Sequence, residues 1–160
     1  ETVRTGSGGF DSHTLPPNQF WILDFGFWID KVMNEQEFKD RTKKLALRII
    51  RLIEALPNTT TANIIGKQLL RSATSVGANY RAACRGKSAA DVLHKLAIVE
   101  EEADESLYWL ELLTDSGIMP ENKLAELKNE MNEIVSMIVA SIKTLRQKQI
   151  QNPKSKIQNQ

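Results

Sequence analysis

The amino-acid sequence predicts an all-α fold, an antiparallel up-down four-helix bundle. Three observations carry that expectation. Apolar residues recur at spacings of three and four in four consecutive segments, the period of one helix face. The breaks between the segments hold proline, glycine and capping residues. Aromatic residues make up only 6% of the chain, so helix formers outweigh strand formers.

The first helix is expected from about Asn34 to Leu56. Asn34 suits an N-cap, and Glu37 stands three residues on, at the capping-box position. Phe38, Thr42, Leu45, Ile49, Leu52 and Leu56 form the apolar stripe, widened by Ala46 and Ile53. Pro57 ends it.

The second helix is expected from about Asn63 to Arg85, with Leu69, Ala73, Val76, Tyr80 and Ala83 as its stripe. Ser72, Ser75, Gly77 and Ala78 are small. A glycine inside a helix costs about 1 kcal/mol relative to alanine, so Gly77 implies close approach of another backbone. Gly86 ends this helix, and Ser88 with Asp91 opens the next.

The third helix is expected from about Ser88 to Asp115. Leu93, Leu96, Glu100, Ala103, Leu107, Leu110 and Thr114 hold a heptad register, which places a carboxylate on the seam. Gly117 closes the helix. The fourth begins at Pro120, with Leu124, Leu127, Met131, Ile134, Ile138, Ser141 and Leu145 in strict repeat. Val135, Val139 and Ile142 add a second apolar edge, which suits either deep packing or a subunit contact.

The domain boundaries follow. Residues 1–33 read as an appended or flexible extension, 34–148 as the bundle and 149–160 as a disordered tail. The extension contains Pro16-Pro17 and the apolar run Phe20 to Ile29. That run is either foreign to the domain or a docking peptide that something must cover. It has about half the length a membrane span needs and includes Asp24, and no signal-peptide pattern frames it. No membrane partner is expected.

Charge is distributed in blocks that hide behind a net value of +1. Residues 39–95 carry twelve Lys and Arg against three acids, and residues 99–133 carry eleven acids against two lysines. Two readings stand: opposite fields on different faces, or one half of the bundle neutralising the other. On the first helix Arg41, Lys44, Arg48 and Arg51 form a basic stripe, and Lys43 lies beside it. On the second, Lys67, Arg71, Arg81 and Arg85 do the same, followed by Lys87. Rows of cations on rigid helices suit a phosphate backbone. The competing reading is a solvated face, or pairing with the acids at 100–105.

Arg41, Lys43, Lys44, Arg48, Arg51, Lys67, Arg85 and Lys87 are therefore the candidate nucleic-acid contacts. Arg71, Arg81, Glu100, Glu102 and Glu105 are the candidate structural ion pairs, because small neighbours bring Arg71 and Arg81 close to packed surfaces.

No catalytic, cofactor-binding or metal-ligating set is expected. Cys84 is the lone cysteine, which suits a reducing, cytoplasmic setting. Asp91 and His94 occur as a single pair and do not reproduce the Glu-x-x-His motif of di-iron bundles. No phosphate loop, nucleophile elbow or triad pattern appears.

The stretch Gln68 to Leu113 resembles a bacterial four-helix-bundle family encoded in intervening sequences of large-subunit ribosomal RNA genes. Arg71-Ser72, the run Ser75 to Arg81, Lys87-Ser88 and the block Glu100 to Leu113 carry the likeness, with Leu45-Ala46 and Leu56-Pro57 on the first helix. It spans about Phe38 to Leu145. The second helix ends in Arg81-Ala82-Ala83-Cys84, where the family more commonly shows a Glu-Gly-like ending.

The resemblance implies a four-helix protomer that assembles into a ring, commonly a homopentamer. A structurally similar relative is the accessory protein of diversity-generating retroelements, a basic pentamer that binds nucleic acid and a reverse transcriptase. The expectation is a non-enzymatic, ring-forming RNA- or DNA-associated protein. The alternative is an interaction scaffold, an accessory subunit of a nucleic-acid enzyme such as a reverse transcriptase.

Overall fold

The computed structural model describes residues 34–151. The segment 1–33, with the run Phe20 to Ile29, and residues 152–160 lie outside the described residues. Four helices follow one another: α1 (Glu35–Glu54), α2 (Thr60–Ala83), α3 (Ala89–Asp115) and α4 (Glu121–Gln151). Among the described residues there is no strand.

Short-range chemistry sets the helix starts. The Asn34 side chain accepts from the backbone N–H of Gln36 at 3.0 Å and of Glu37 at 3.2 Å, which opens α1. Thr59 accepts from the Ala62 N–H at 3.2 Å, so α2 begins three residues before the expected Asn63. Ser88 accepts from the Asp91 N–H at 3.1 Å, and Asp91 accepts from the Lys87 N–H at 3.0 Å. Gly117, at φ 71°, takes the left-handed turn that ends α3. α4 continues past the expected boundary at 148 to Gln151, because nothing before Pro153 forbids helix there.

Sequential helices run antiparallel. Thr42 on α1 meets Gly77 on α2, while Ile53 and Leu56 meet Gly66. Ser106 on α3 hydrogen-bonds Ser72 on α2 at 2.9 Å. Lys128 on α4 donates to Thr114 on α3 at 2.9 Å. Arg41 reaches Glu130 and Arg48 reaches Glu126, so α4 also runs against α1. α1 packs chiefly on α2 and meets α4 along a narrow edge.

One core fills the centre. Phe38, Leu45, Ile49 and Leu52 come from α1, and Leu69, Ala73, Val76, Tyr80 and Ala83 from α2. The Phe38 and Tyr80 rings tilt against each other with centroids 4.4 Å apart. Every expected stripe residue of α4 is buried, and Ile142 joins them while Val135 packs partly exposed against the core. Gly77 answers to the close approach its sequence implied. A Cβ there would stand 3.3 Å from Thr42 Oγ1.

α3 is rotated from the expected register. Val92, Val99, Ser106 and Leu113 are buried, whereas Leu93, Glu100 and Thr114 lie at the edge. Ser106 and Ser72 let α2 and α3 close up and turn α3 toward α2. Their hydroxyls satisfy each other inside the core, and Ser106 also reaches the Glu102 carbonyl at 2.7 Å. Glu100 thus stands beside the seam, and Val99 holds the interior place.

Candidate nucleic-acid interface

The basic stripe of α1 divides by rotation. Arg41 and Arg48 turn toward α4, and Lys44 and Arg51 stay exposed beside them. Arg41 Nε donates to Glu130 Oε1 at 2.5 Å, and its Nη2 donates to Glu130 Oε2 at 3.2 Å and to Glu133. Its Nη1 lies 3.2 Å from Met137 Sδ. Arg48 Nη2 donates to Glu126 Oε2 at 3.0 Å. The hydrogen bond from Arg41 holds the Glu130 carboxyl below the ordinary range, against the opposing effect of partial burial. Glu126, Glu130 and Glu133 were not singled out from the sequence. Their spacing of four and three is the signal that marks them as one acidic stripe facing α1.

On α2, Arg71 Nη2 grips Glu105 of α3 at 2.8 and 3.1 Å. Trp109 Nε1 donates to the same carboxylate at 3.0 Å, and this bond is the larger cause of the lowered Glu105 pKa, ahead of Arg71. Tyr108 meets Trp109 edge-on, with centroids 5.0 Å apart. The Glu102 Oε2 atom is buried without a hydrogen-bond partner. Burial pushes its carboxyl up, and the Arg71 charge offsets part of that rise. Arg81 is exposed, and neither it nor Glu100 forms an ion pair among the described residues.

The remaining candidates form one class. Lys43, Lys44, Arg51, Lys67, Arg85 and Lys87 are exposed, and none meets a carboxylate within 4.0 Å among the described residues. Both readings of the charge blocks therefore hold, each for different residues. Arg41, Arg48 and Arg71 join the basic half to the acidic half, and the six others leave their charge to solvent.

Other chemistry finds little purchase. Among the described residues no three His, Cys, Asp or Glu side chains gather as a metal ion would require. No described helix is long and apolar enough to cross a membrane. Burial pushes the half-buried Cys84 thiol up to about 11, with the Glu35 charge adding to the rise.

Fold and site together define a helical-bundle protein whose basic and acidic halves are bridged by ion pairs, with surplus cations on α1 and α2. Residues 34–140 match the family model described as 23S rRNA-intervening sequence protein, and the chain belongs to that family. This is the membership that the residues from Gln68 to Leu113 had suggested. Among solved structures, the chain is similar to a protein of unknown function from the S23 ribosomal protein family of Bacteroides thetaiotaomicron VPI-5482. That match has 37% identity and a TM-score of 0.65, over 69% of this chain and 99% of the other. No curated protein matches the chain.

Proposed function

We propose that this is a non-enzymatic, ring-forming protein that associates with RNA or DNA through phosphate contacts. The carrying observation is the set of exposed cations left over after internal pairing: Lys43, Lys44, Arg51, Lys67, Arg85 and Lys87. A solvated cation on a rigid helix releases counterions from a phosphate backbone at low ordering cost. The lone reduced cysteine accords with a cytoplasmic setting.

The homopentamer implied by the family resemblance belongs to this reading. The half-buried Val135 and Val139 edge of α4 and the Tyr108–Trp109 pair of α3 offer contact surfaces for a second copy. Light scattering on the full chain measures the assembly mass, and a monomer at micromolar concentration would remove the ring from the proposal.

Binding is tested by titrating the full chain with a structured RNA across a salt series. Six phosphate contacts give a loss of roughly 10³-fold in affinity between about 50 and 200 mM salt. A response that ignores salt, or no binding at the low end, refutes the proposal.

A second reading rests on Leu47 and Ile50, large apolar side chains one turn apart on α1 that are 45% and 37% exposed. They favour a protein partner, such as a reverse transcriptase or another nucleic-acid enzyme. Leu47→Asp with Ile50→Asp abolishes capture of such an enzyme if this surface is used, and undiminished capture rejects it.

A further inference from the structure

The exposed cations are not spread evenly along the bundle. The helix registers fix an axial scale from the level of Thr42 and Gly77. Arg81 lies four residues beyond Gly77 on α2, about 6 Å along the axis at 1.5 Å per residue, and Arg85 follows in the turn past the helix end at Ala83. Lys143 lies ten residues beyond Glu133, the α4 partner of Arg41, about 15 Å in the same direction. On α3, Lys95 stands eleven residues before Ser106, about 16 Å from the Ser72 level and again toward that end. Arg81, Arg85, Lys87, Lys95, Lys143 and Arg146 therefore gather where α2 turns into α3 and α4 finishes.

None of these six forms an ion pair among the described residues. Acids at the same end are Glu35, Glu37, Asp40 and Asp91. Glu35 is paired with Lys39, while Glu37, Asp40 and Asp91 meet no cation within 4.0 Å among the described residues, so six cations stand against three unpaired carboxylates and the end stays net positive. The opposite end carries Glu54, Glu111, Asp115, Glu121 and Glu126. α2 packs on α3 and α3 on α4, at the roughly 8–10 Å of packed helices and close to one Debye length at physiological salt, so the fields of cations on neighbouring helices add and α3 links those of α2 to those of α4.

We propose that this α2–α3 end is the principal polyanion-docking surface, and that its ligand is the phosphate backbone of a duplex RNA. The inference rests on the nucleic-acid reading above and deepens it, because it moves the contact from the helix sides to one end. It also brings in Arg81, Lys95, Lys143 and Arg146, which the helix stripes did not mark as contacts. Six cations from three helices and a turn engage a chain that presents a charge every ~1.7 Å of duplex axis. A bilayer needs apolar anchoring beside the basic charge, and the exposed large apolar side chain at this end is Ile150 alone among the described residues.

The test uses the full chain and a short duplex RNA, followed by fluorescence anisotropy across a salt series. An end variant carries Arg85→Glu, Lys87→Glu and Lys143→Glu; a side variant carries Lys43→Glu, Lys44→Glu and Arg51→Glu. All six residues are exposed, and matching glutamine variants with circular dichroism separate misfolding from lost contacts.

The wild type is expected to show a log–log salt slope near −5, and the end variant to lose about three units of it with at least ~100-fold in affinity. The side variant is expected to stay within about one unit of the wild type. Loss in the side variant with retention in the end variant overturns the end-on surface and leaves the function reading standing. Absence of binding by the wild type overturns both. Binding to phosphatidylserine vesicles with none to RNA assigns the surface to a membrane and also overturns both.

Discussion

Arg41 is the residue whose removal should most loosen α1 from α4. The two helices meet along a narrow edge, and Arg41 with Arg48 makes the polar closure there. Arg41 and Glu130 have side chains only 26% and 27% exposed, so their fork is partly shielded from water. Hydrogen bonds to charged groups contribute about 1.5–3 kcal/mol each way of counting, whereas exposed pairs contribute about 0.2–1 kcal/mol. The Arg41–Glu130 pair belongs near the bottom of the first range. Glu133, at 66% exposed, belongs in the second.

Arg41→Ala should therefore cost about 2 kcal/mol, which for a domain of this size lowers the melting temperature by roughly 6–10 °C. A double-mutant cycle with Glu130→Gln should give a coupling of about 1–2 kcal/mol, and one with Glu133→Gln under about 0.5 kcal/mol. The pH dependence has a fixed sign. Glu130 titrates below its unfolded value near 4.3, so its contribution is complete above that pH and is lost as pH falls through the depressed folded value. The Arg41→Ala deficit should shrink in acid accordingly. Equal couplings for the two glutamates, or a deficit that grows as pH falls, would refute the assignment.

Gly86→Ala should destabilise by about 1–3 kcal/mol in denaturant melts, because its Cβ would lie 2.4 Å from Val92 Cγ2 and 3.1 Å from the Ala83 carbonyl. Glu102→Gln should raise the melting temperature at pH 7 and have no effect below the unfolded carboxylate value. Its folded pKa is raised, so the penalty for the charged form exists only above that value; a variant that loses stability at pH 7 would contradict the burial. Cys84, at about 11, should react with a thiol reagent at neutral pH far more slowly in the folded chain than in urea, and equal rates would show the thiol to be open.

The fold was legible wherever apolar side chains alone decide which way a helix faces. The stripes of α1 and α4 name their buried residues almost completely, that of α2 names its C-terminal half and misses Ala62, Ile65 and Gly66, and Gly77 announces its close contact through the cost of a mid-helix glycine. α3 escaped because hydroxyls steer it. Ser72 and Ser106 are counted as polar in a sequence, yet each is fully buried once the other supplies its partner. A heptad that is read from leucines puts Glu100 where Val99 belongs. α2 starts three residues before the expected Asn63 for a similar reason, since three consecutive threonines leave the cap position to geometry.

The site was legible in composition and illegible in rotation. Residues 41, 44, 48 and 51 share one stripe in sequence, but the stripe is wider than the edge that meets α4. Arg41 and Arg48 fall on the inner side of that edge and spend their charge within the fold, and Lys44 and Arg51 fall outside it. The same division explains the end of the bundle. Apart from Asp91, the acids of α3 and α4 cluster from the middle of those helices to the far end, so Arg71 finds Glu105 while Arg81, about 15 Å further along α2, and Arg85, past the helix end, find none. A free cation in this fold is one that the antiparallel registers carry past the reach of the acidic helices. Moving an acid into that reach is the corresponding intervention. Ala78→Glu, at an exposed position on α2 three residues before Arg81, should pair with it and weaken duplex binding with little change in melting temperature, and unchanged binding would separate free charge from docking.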